Sequence, residues 1–179
     1  MWSSLARLFQ PNPIEDQASA LYITLASQSR KTFFYTTLQV PDTIDGRHEL
    51  LVLHLFLLMR RLQQEGTTYE EFCRALAEIH FSNMDLSLRE LGVGDTGVGK
   101  RIRKMAEAFF GRMHAYEDAL GSREAFTESL RRNVYGTVEV DDVTASKLAD
   151  YALNTLKFLQ SLKPETILAK DFAFNPLPA

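Results

Sequence analysis

The chain of 179 residues has a single cysteine, Cys73. That excludes an internal disulfide and suits a reducing compartment. It also has no long apolar run. The longest, Leu50 to Met59, contains His54 and falls well short of the ~20 residues a membrane span requires. No excess of positive charge is present: 20 Lys and Arg stand against 23 Asp and Glu, for a net charge of −3. This argues against bulk electrostatic binding to nucleic acid, DNA included, while leaving local patches open. The four histidines, His48, His54, His80 and His114, are scattered and form no metal-ligand spacing with Cys73, so no metal site is expected. No nucleophile sits beside a base, and no catalytic residue is assigned. Met1 to Gln10 has one cation and no apolar core of signal-peptide length, so a cytoplasmic location, with peripheral contact at an inner membrane, is expected. Alternating strand patterns are missing apart from a mildly extended run, Gly136 to Asp141. Repeats and low-complexity segments are missing too.

What is present is helical periodicity in nearly every segment. The composition, 45% hydrophobic and 24% charged, is that of a soluble globular protein. Trp2, Leu5, Leu8 and Phe9 fall on one side of a short amphipathic arm over residues 1–12, suited to docking on its own domain, a partner or a membrane. Pro13 suits a first helical turn, and Ile14, Ala18, Leu21, Tyr22 and Leu25 keep helical spacing to about Ser29. Phe33 to Tyr35 form an aromatic connection, helical or extended. Asp42 or Thr43 is the natural cap of the next helix, which from His48 to Gln63 is apolar almost all round and so should be central and buried. His54 in its middle reads as a core histidine bonded to a neighbour. Gly66 should end this helix and Thr67 or Thr68 cap the next, whose buried stripe is Phe72, Ala75, Leu76 and Ile79. Further on, Ile102, Met105, Ala106, Phe109, Met113, Tyr116 and Leu120 form the cleanest stripe. Gly111 interrupts it at a cost of about 1 kcal/mol, which suggests another helix passing close to its backbone. Asp141 or Asp142 caps the last main helix. The expected architecture is an all-α bundle of six or seven helices over residues 13–170, with a Pro-rich tail at 171–179 where Phe172 and Phe174 can dock.

The densest polar stretch, Phe81 to Lys104, lies at a joint between two helices. Gly94 to Lys100 fits half of a phosphate-loop motif, but Arg101 stands where a Mg²⁺-binding Ser or Thr belongs, and the preceding segment reads as helix rather than strand. Gly92 and Gly94 are better read as helix stops, with Asp95 or Thr96 capping the next helix. That leaves Lys100, Arg101, Arg103 and Lys104 near an electropositive helix start, where a cation costs about 0.3–1 kcal/mol. Asp85, Glu90 and Asp95, or an acidic partner, are the candidates to offset them. With Arg112, these cations are expected to form an exposed basic face that meets a partner.

Four stretches, VPDTIDGRHELLVLH (Val40–His54), FSNMDLSLRELGVGD (Phe81–Asp95), VGKRIRKMAEAFFGR (Val98–Arg112) with Ala115-Tyr116, and RRNVYG (Arg131–Gly136), together resemble the ubiquinol–cytochrome c chaperone family. The resemblance spans roughly residues 15 to 160. It implies a non-enzymatic assembly factor for respiratory complex III, acting on newly made cytochrome b, with the ribosome or a second assembly factor as further partners and no cofactor. The missing import extension of mitochondrial members makes an alphaproteobacterial member the expectation. Asp42, Thr43, Gly46, Arg47 and His54 match the first motif. Asp85, Arg89, Glu90, Gly94 and Asp95 match the second, and Lys100, Gly111, Arg112, Tyr116 and Asn133 the rest. The partner-binding set implied is Asp42, Arg47, Asp85, Arg89, Glu90, Asp95 and the five cations above. Two rival uses remain open: a ribosomal-RNA adaptor using the same cations, and a carrier of a small apolar ligand such as haem or quinone beside His54.

Overall fold

The computed structural model describes residues 12–177, in which every regular element is helical. The amphipathic arm expected over residues 1–12 lies, except for Asn12, outside the described residues. Asn12 accepts a hydrogen bond from the Ile14 amide (3.1 Å) and opens α1 (Pro13–Ser29). The aromatic connection is a short helix, α2 (Thr32–Thr36). Its Phe34 is fully buried, edge-on to both His54 and Tyr151. Gln39 then takes a positive φ of 53°, a sharp reversal that lets Leu38 and Val40 on either side both reach the core.

The central helix is α3 (Ile44–Gln63). From Leu50 to Leu58 every residue on it is buried, as its all-round apolarity predicts. Thr43, one of the two cap candidates, fills the role: its hydroxyl accepts from the Gly46 amide at 3.1 Å. At the other end Gly66 begins a 3-10 turn (Gly66–Tyr69) rather than a simple stop. The expected Thr67 or Thr68 cap is replaced by Tyr69, which makes no side-chain cap bond. The turn supplies its own backbone bonds, so no hydroxyl is needed. α4 (Glu70–Glu90) then runs unbroken through Ser82.

α5 (Asp95–Ala119), α6 (Arg123–Val134), α7 (Asp142–Ser161) and the short α8 (Pro164–Ile167) complete the chain. α1 lies along α4, and α3 is covered by α1, α5, α6 and α7, so the core forms around it. Ser122 and Asp141 cap α6 and α7. Most buried polar groups are paired, the Tyr116 and Thr155 hydroxyls being exceptions. The Tyr135 hydroxyl donates to the Leu38 carbonyl at 2.6 Å. Arg61 donates to the Leu159 and Leu162 carbonyls, closing the end of α7. The irregular tail contributes to the core through Phe172 and Phe174.

Two glycines differ sharply in what surrounds them. A Cβ on Gly46 would stand 2.1 Å from the Pro41 carbonyl oxygen, a backbone atom that cannot rotate away. Gly111, against expectation, has nothing within 4 Å of such a Cβ and is exposed. No helix passes it. Gly46→Ala should therefore cost about 1–3 kcal/mol through overpacking, whereas Gly111→Ala should gain about 1 kcal/mol from helix propensity. Urea unfolding of the two variants should shift the midpoint in opposite directions; shifts of the same sign would contradict this account.

Candidate functional site

The joint between α4 and α5 is built from backbone geometry. Gly92 takes a φ of +80°, which only glycine adopts without strain, and the amides of Gly92 and Val93 close on the Arg89 and Leu88 carbonyls. Gly94, read as a stop, is instead the N-cap of α5, with no side-chain cap bond. Asp95, a candidate cap, lies inside the first turn, where a carboxylate still suits the dipole. The other candidate, Thr96, has a side chain outside the described residues. The segment before the phosphate-loop-like run is a helix, α4, not a strand.

Arg89 joins this corner together. Its guanidinium donates to Asp85 (2.5 Å) and pairs with Asp95, all three at the surface. Two of the three acids expected to offset the cations are thus taken by a different residue. Glu90 is exposed on the last turn of α4. Asp42 and Arg47 also form an exposed pair, 2.6 Å apart, with the guanidinium 5.9 Å from the Tyr35 ring centroid. These Asp–Arg contacts are surface pairs, worth at most about 1 kcal/mol each.

Lys100, Arg101, Arg103 and Lys104 are exposed and have no ion-pair partner among the described residues. The reason they are unfavourable differs from the one expected. α5 starts at Asp95, so these cations occupy its second and third turns, where the dipole has largely faded. What opposes them is one another. Lys100–Lys104, Lys100–Arg103 and Arg101–Lys104 are like-charge neighbours at helical spacing, each costing roughly 0.2–0.5 kcal/mol.

Arg112 does not belong to this exposed face. It is tied to Glu49 of α3, Nε to Oε2 at 2.5 Å with a second bond beside it, and both side chains are largely covered. Glu49 was not singled out in the sequence, although it is the one carboxylate between His48 and Gln63 and, once buried, calls for a cation. Burial pushes the Glu49 carboxyl upward and Arg112 pulls it back.

This ion pair lines one cleft, and a second cleft shares His48 with it. The first is polar, with Lys104, Arg112, Arg132 and Asn133 on its walls. The other, about 270 Å³, is apolar and lies where the end of α1, the start of α3, the end of α4 and α5 meet. Leu51, Met84, Leu88 and Met105 line it, and Ile44 and Leu91 stand at its edge, 73% and 65% exposed. His48 borders both clefts and stacks on His80, ring centroids 5.3 Å apart. Burial, with Arg112 nearby, brings His48 down to about 4, and burial with His48 alongside brings His80 to about 3. The Tyr22 hydroxyl lies 3.2 Å from His80 Nδ1.

His54 faces none of these clefts. Its Nδ1 is 2.7 Å from the Leu50 carbonyl and its Nε2 2.8 Å from the Tyr151 hydroxyl, and it is fully buried. It is a core histidine, as first read. The haem- or quinone-carrier alternative loses its proposed contact, because both ring nitrogens are occupied within a packed interior.

A family model described as "Ubiquinol-cytochrome C chaperone" matches residues 36–174. Curated relatives carry the name ubiquinol-cytochrome c reductase complex assembly factor 1. The Mus musculus protein is 22% identical over 156 residues, 87% of this chain and 53% of its own length. The Homo sapiens protein is 21% identical over 166 residues, 92% of this chain and 56% of its own. The Xenopus laevis protein is 22% identical over 146 residues, covering 80% and 73%. The chain thus spans a little over half the length of its mouse and human relatives. Among solved structures, the crystal structure of the Cbp3 homolog from Brucella abortus superposes with a TM-score of 0.79 at 35% identity, covering 90% of both chains.

Proposed function

Since this chain belongs to the ubiquinol–cytochrome c chaperone family, we propose that it is a non-enzymatic assembly factor for respiratory complex III that holds newly made cytochrome b as its client. The observation that carries this reading is the set of four exposed, mutually repelling cations on α5, Lys100, Arg101, Arg103 and Lys104, which nothing among the described residues neutralises. A rigid body that keeps like charges together at a cost to its own helix is suited to meeting opposite charge on another molecule. The names of the curated relatives support complex III as the setting.

The test is gentle affinity purification from the native cell, scored for cytochrome b by its haem absorbance. Arg101→Glu with Lys104→Glu should reduce recovery by about tenfold or more, since rim charges that meet a partner contribute on the order of 1 kcal/mol each. The melting temperature should change little, because reversing Lys104 turns the Lys100–Lys104 repulsion into attraction while positions 101 and 104 keep like charges. Full recovery by the double variant would sink the reading. Ribosomal RNA in place of cytochrome b, with a steep loss as salt rises, would favour the RNA-adaptor alternative through counterion release.

A further inference from the structure

We infer that the polar cleft between α3, α5 and the end of α6 receives a carboxylate side chain of an acidic peptide segment. This rests on the client-holding reading and gives the held segment its charge. The cleft, about 420 Å³, has Lys104, Arg112 and Arg132 as its cations and Asp45 and Glu49 as its acids. Glu49 is bonded by Arg112, but only through Nε and Nη2, which leaves Nη1 without a hydrogen bond among the described residues. Asp45 lies in the first turn of α3, where the helix dipole already favours a carboxylate. Lys104 is exposed and has no ion-pair partner among the described residues. Arg132 is 63% exposed and comes no nearer than 4.0 Å to Glu128, which stands closer to Arg131 at 3.4 Å. An exposed pair at that distance adds little. The walls of this recess therefore keep a positive excess that its own residues do not neutralise.

The size of that excess selects the ligand. Beyond the Glu49–Arg112 pair, two cations face one acid, a balance that a carboxylate monoanion completes and a phosphate dianion oversteps. The guanidinium of Arg132 has the planar fork that a carboxylate accepts with both oxygens. No Phe, Tyr or Trp lines the cleft for a nucleobase to stack on, and the His48 ring is already stacked on His80. Met105, Ala108 and Val134 make part of the wall apolar, which suits the methylene stem of a glutamate. Outside the cleft, Lys100, Arg101 and Arg103 continue the positive field along α5, so further acids of the same segment meet charge of the right sign.

The methionines separate the possible seats. Met105 lines both this cleft and the apolar one, Met84 lines the apolar one, and Met59 and Met113 line a groove between α3 and α5. Full-length protein labelled at the methionine methyls would be titrated with a short, end-capped peptide of alternating alanine and glutamate. Its glutamine counterpart, inorganic phosphate and an oligouridylate serve as comparisons. The glutamate peptide is expected to shift the Met105 signal, leave those of Met84, Met59 and Met113 in place, and bind at least tenfold more tightly than the glutamine peptide. Arg132→Gln should weaken it at least threefold, and Arg132→Lys should restore part of that loss. Ala108→Phe, at an exposed position, fills the cleft without changing its charge and should also weaken binding at least threefold, which long-range attraction alone would not produce. Equal binding of the two peptides, Met84 moving together with Met105, no effect of Arg132→Gln, or tighter binding of phosphate or the oligouridylate would each overturn the inference. If cytochrome b co-purifies while the glutamate peptide leaves Met105 unmoved, the cleft assignment fails and the client reading stands. If the peptide binds as expected while cytochrome b is absent from the purification, the client identity fails and the cleft assignment stands.

Discussion

Lowering the pH from 7 to 5 is expected to remove on the order of 6 kcal/mol of folding stability, and three histidines, two buried and one largely covered, are the reason. His48, His54 and His80 are held neutral in the fold, at about 4, 4 and 3, against an ordinary value of 6.5. Burial is the leading cause for each. A depressed histidine is fully favourable to folding only above its unfolded value, because below it the unfolded chain takes up a proton that the native state refuses. The loss therefore begins near pH 6.5 and continues down to about pH 4. At pH 5 each histidine contributes a loss of about 2 kcal/mol. That figure depends on the unfolded titration and hardly at all on how far below 5 the native values lie, so the stacking of His48 on His80 does not alter it. Glu49 acts the other way, since its raised carboxyl favours the fold at low pH. Because domains of this size are stable by only about 5–15 kcal/mol, the effect should be plain in urea titrations at pH 7, 6 and 5. An unfolding midpoint that stays level across that range would show that these rings are not held neutral.

The fold was legible where one physical signal dominated. The all-round apolarity of Leu50 to Met59 has no solution except burial, and α3 is the axis of the structure. His54 follows from the same logic, because a lone imidazole in such a helix must find partners inside it. Misreadings arose where a residue type has two uses. A mid-helix glycine means either close packing or tolerated loss of propensity, and Gly111 proved to face open space. Thr67 and Thr68 have the chemistry of caps, but a 3-10 turn supplied the bonds from the backbone.

The candidate site was legible in its charges and illegible in its shape. Lys100 to Lys104 are as exposed as their pattern implied. The cleft beside them is made by Arg30, Ile44, Leu91 and Met105, which come from four elements far apart in sequence. Helical periodicity shows which side of each helix is apolar, yet it cannot show which part of that side its neighbours leave uncovered. Arg112 was grouped with the exposed cations because it lies on the same helix. Its partner, Glu49, is 63 residues away, and only the packing of α5 on α3 brings them together.

That pair sets the second large effect. Arg112→Met is expected to cost about 3–5 kcal/mol at neutral pH, because it leaves the Glu49 carboxylate buried without its counter-charge. The two halves are not equivalent. Both line the polar cleft, but the Glu49 side chain is 9% exposed and that of Arg112 22%, so the longer Arg112 has more freedom to turn into the cleft when its partner is lost. Glu49→Leu should therefore cost clearly less than Arg112→Met. Combining the two should recover most of the loss, since a buried pair replaced by apolar groups of similar size is often close to neutral. The cost of Arg112→Met should also shrink as the pH falls, because the stranded carboxyl takes up a proton and ceases to be a buried charge. Urea unfolding of the two single variants and the double variant at pH 7 measures the coupling directly. If Arg112→Met and the double variant lose the same stability, Glu49 is not the group that Arg112 neutralises, and Arg112 returns to the set of cations available to a partner.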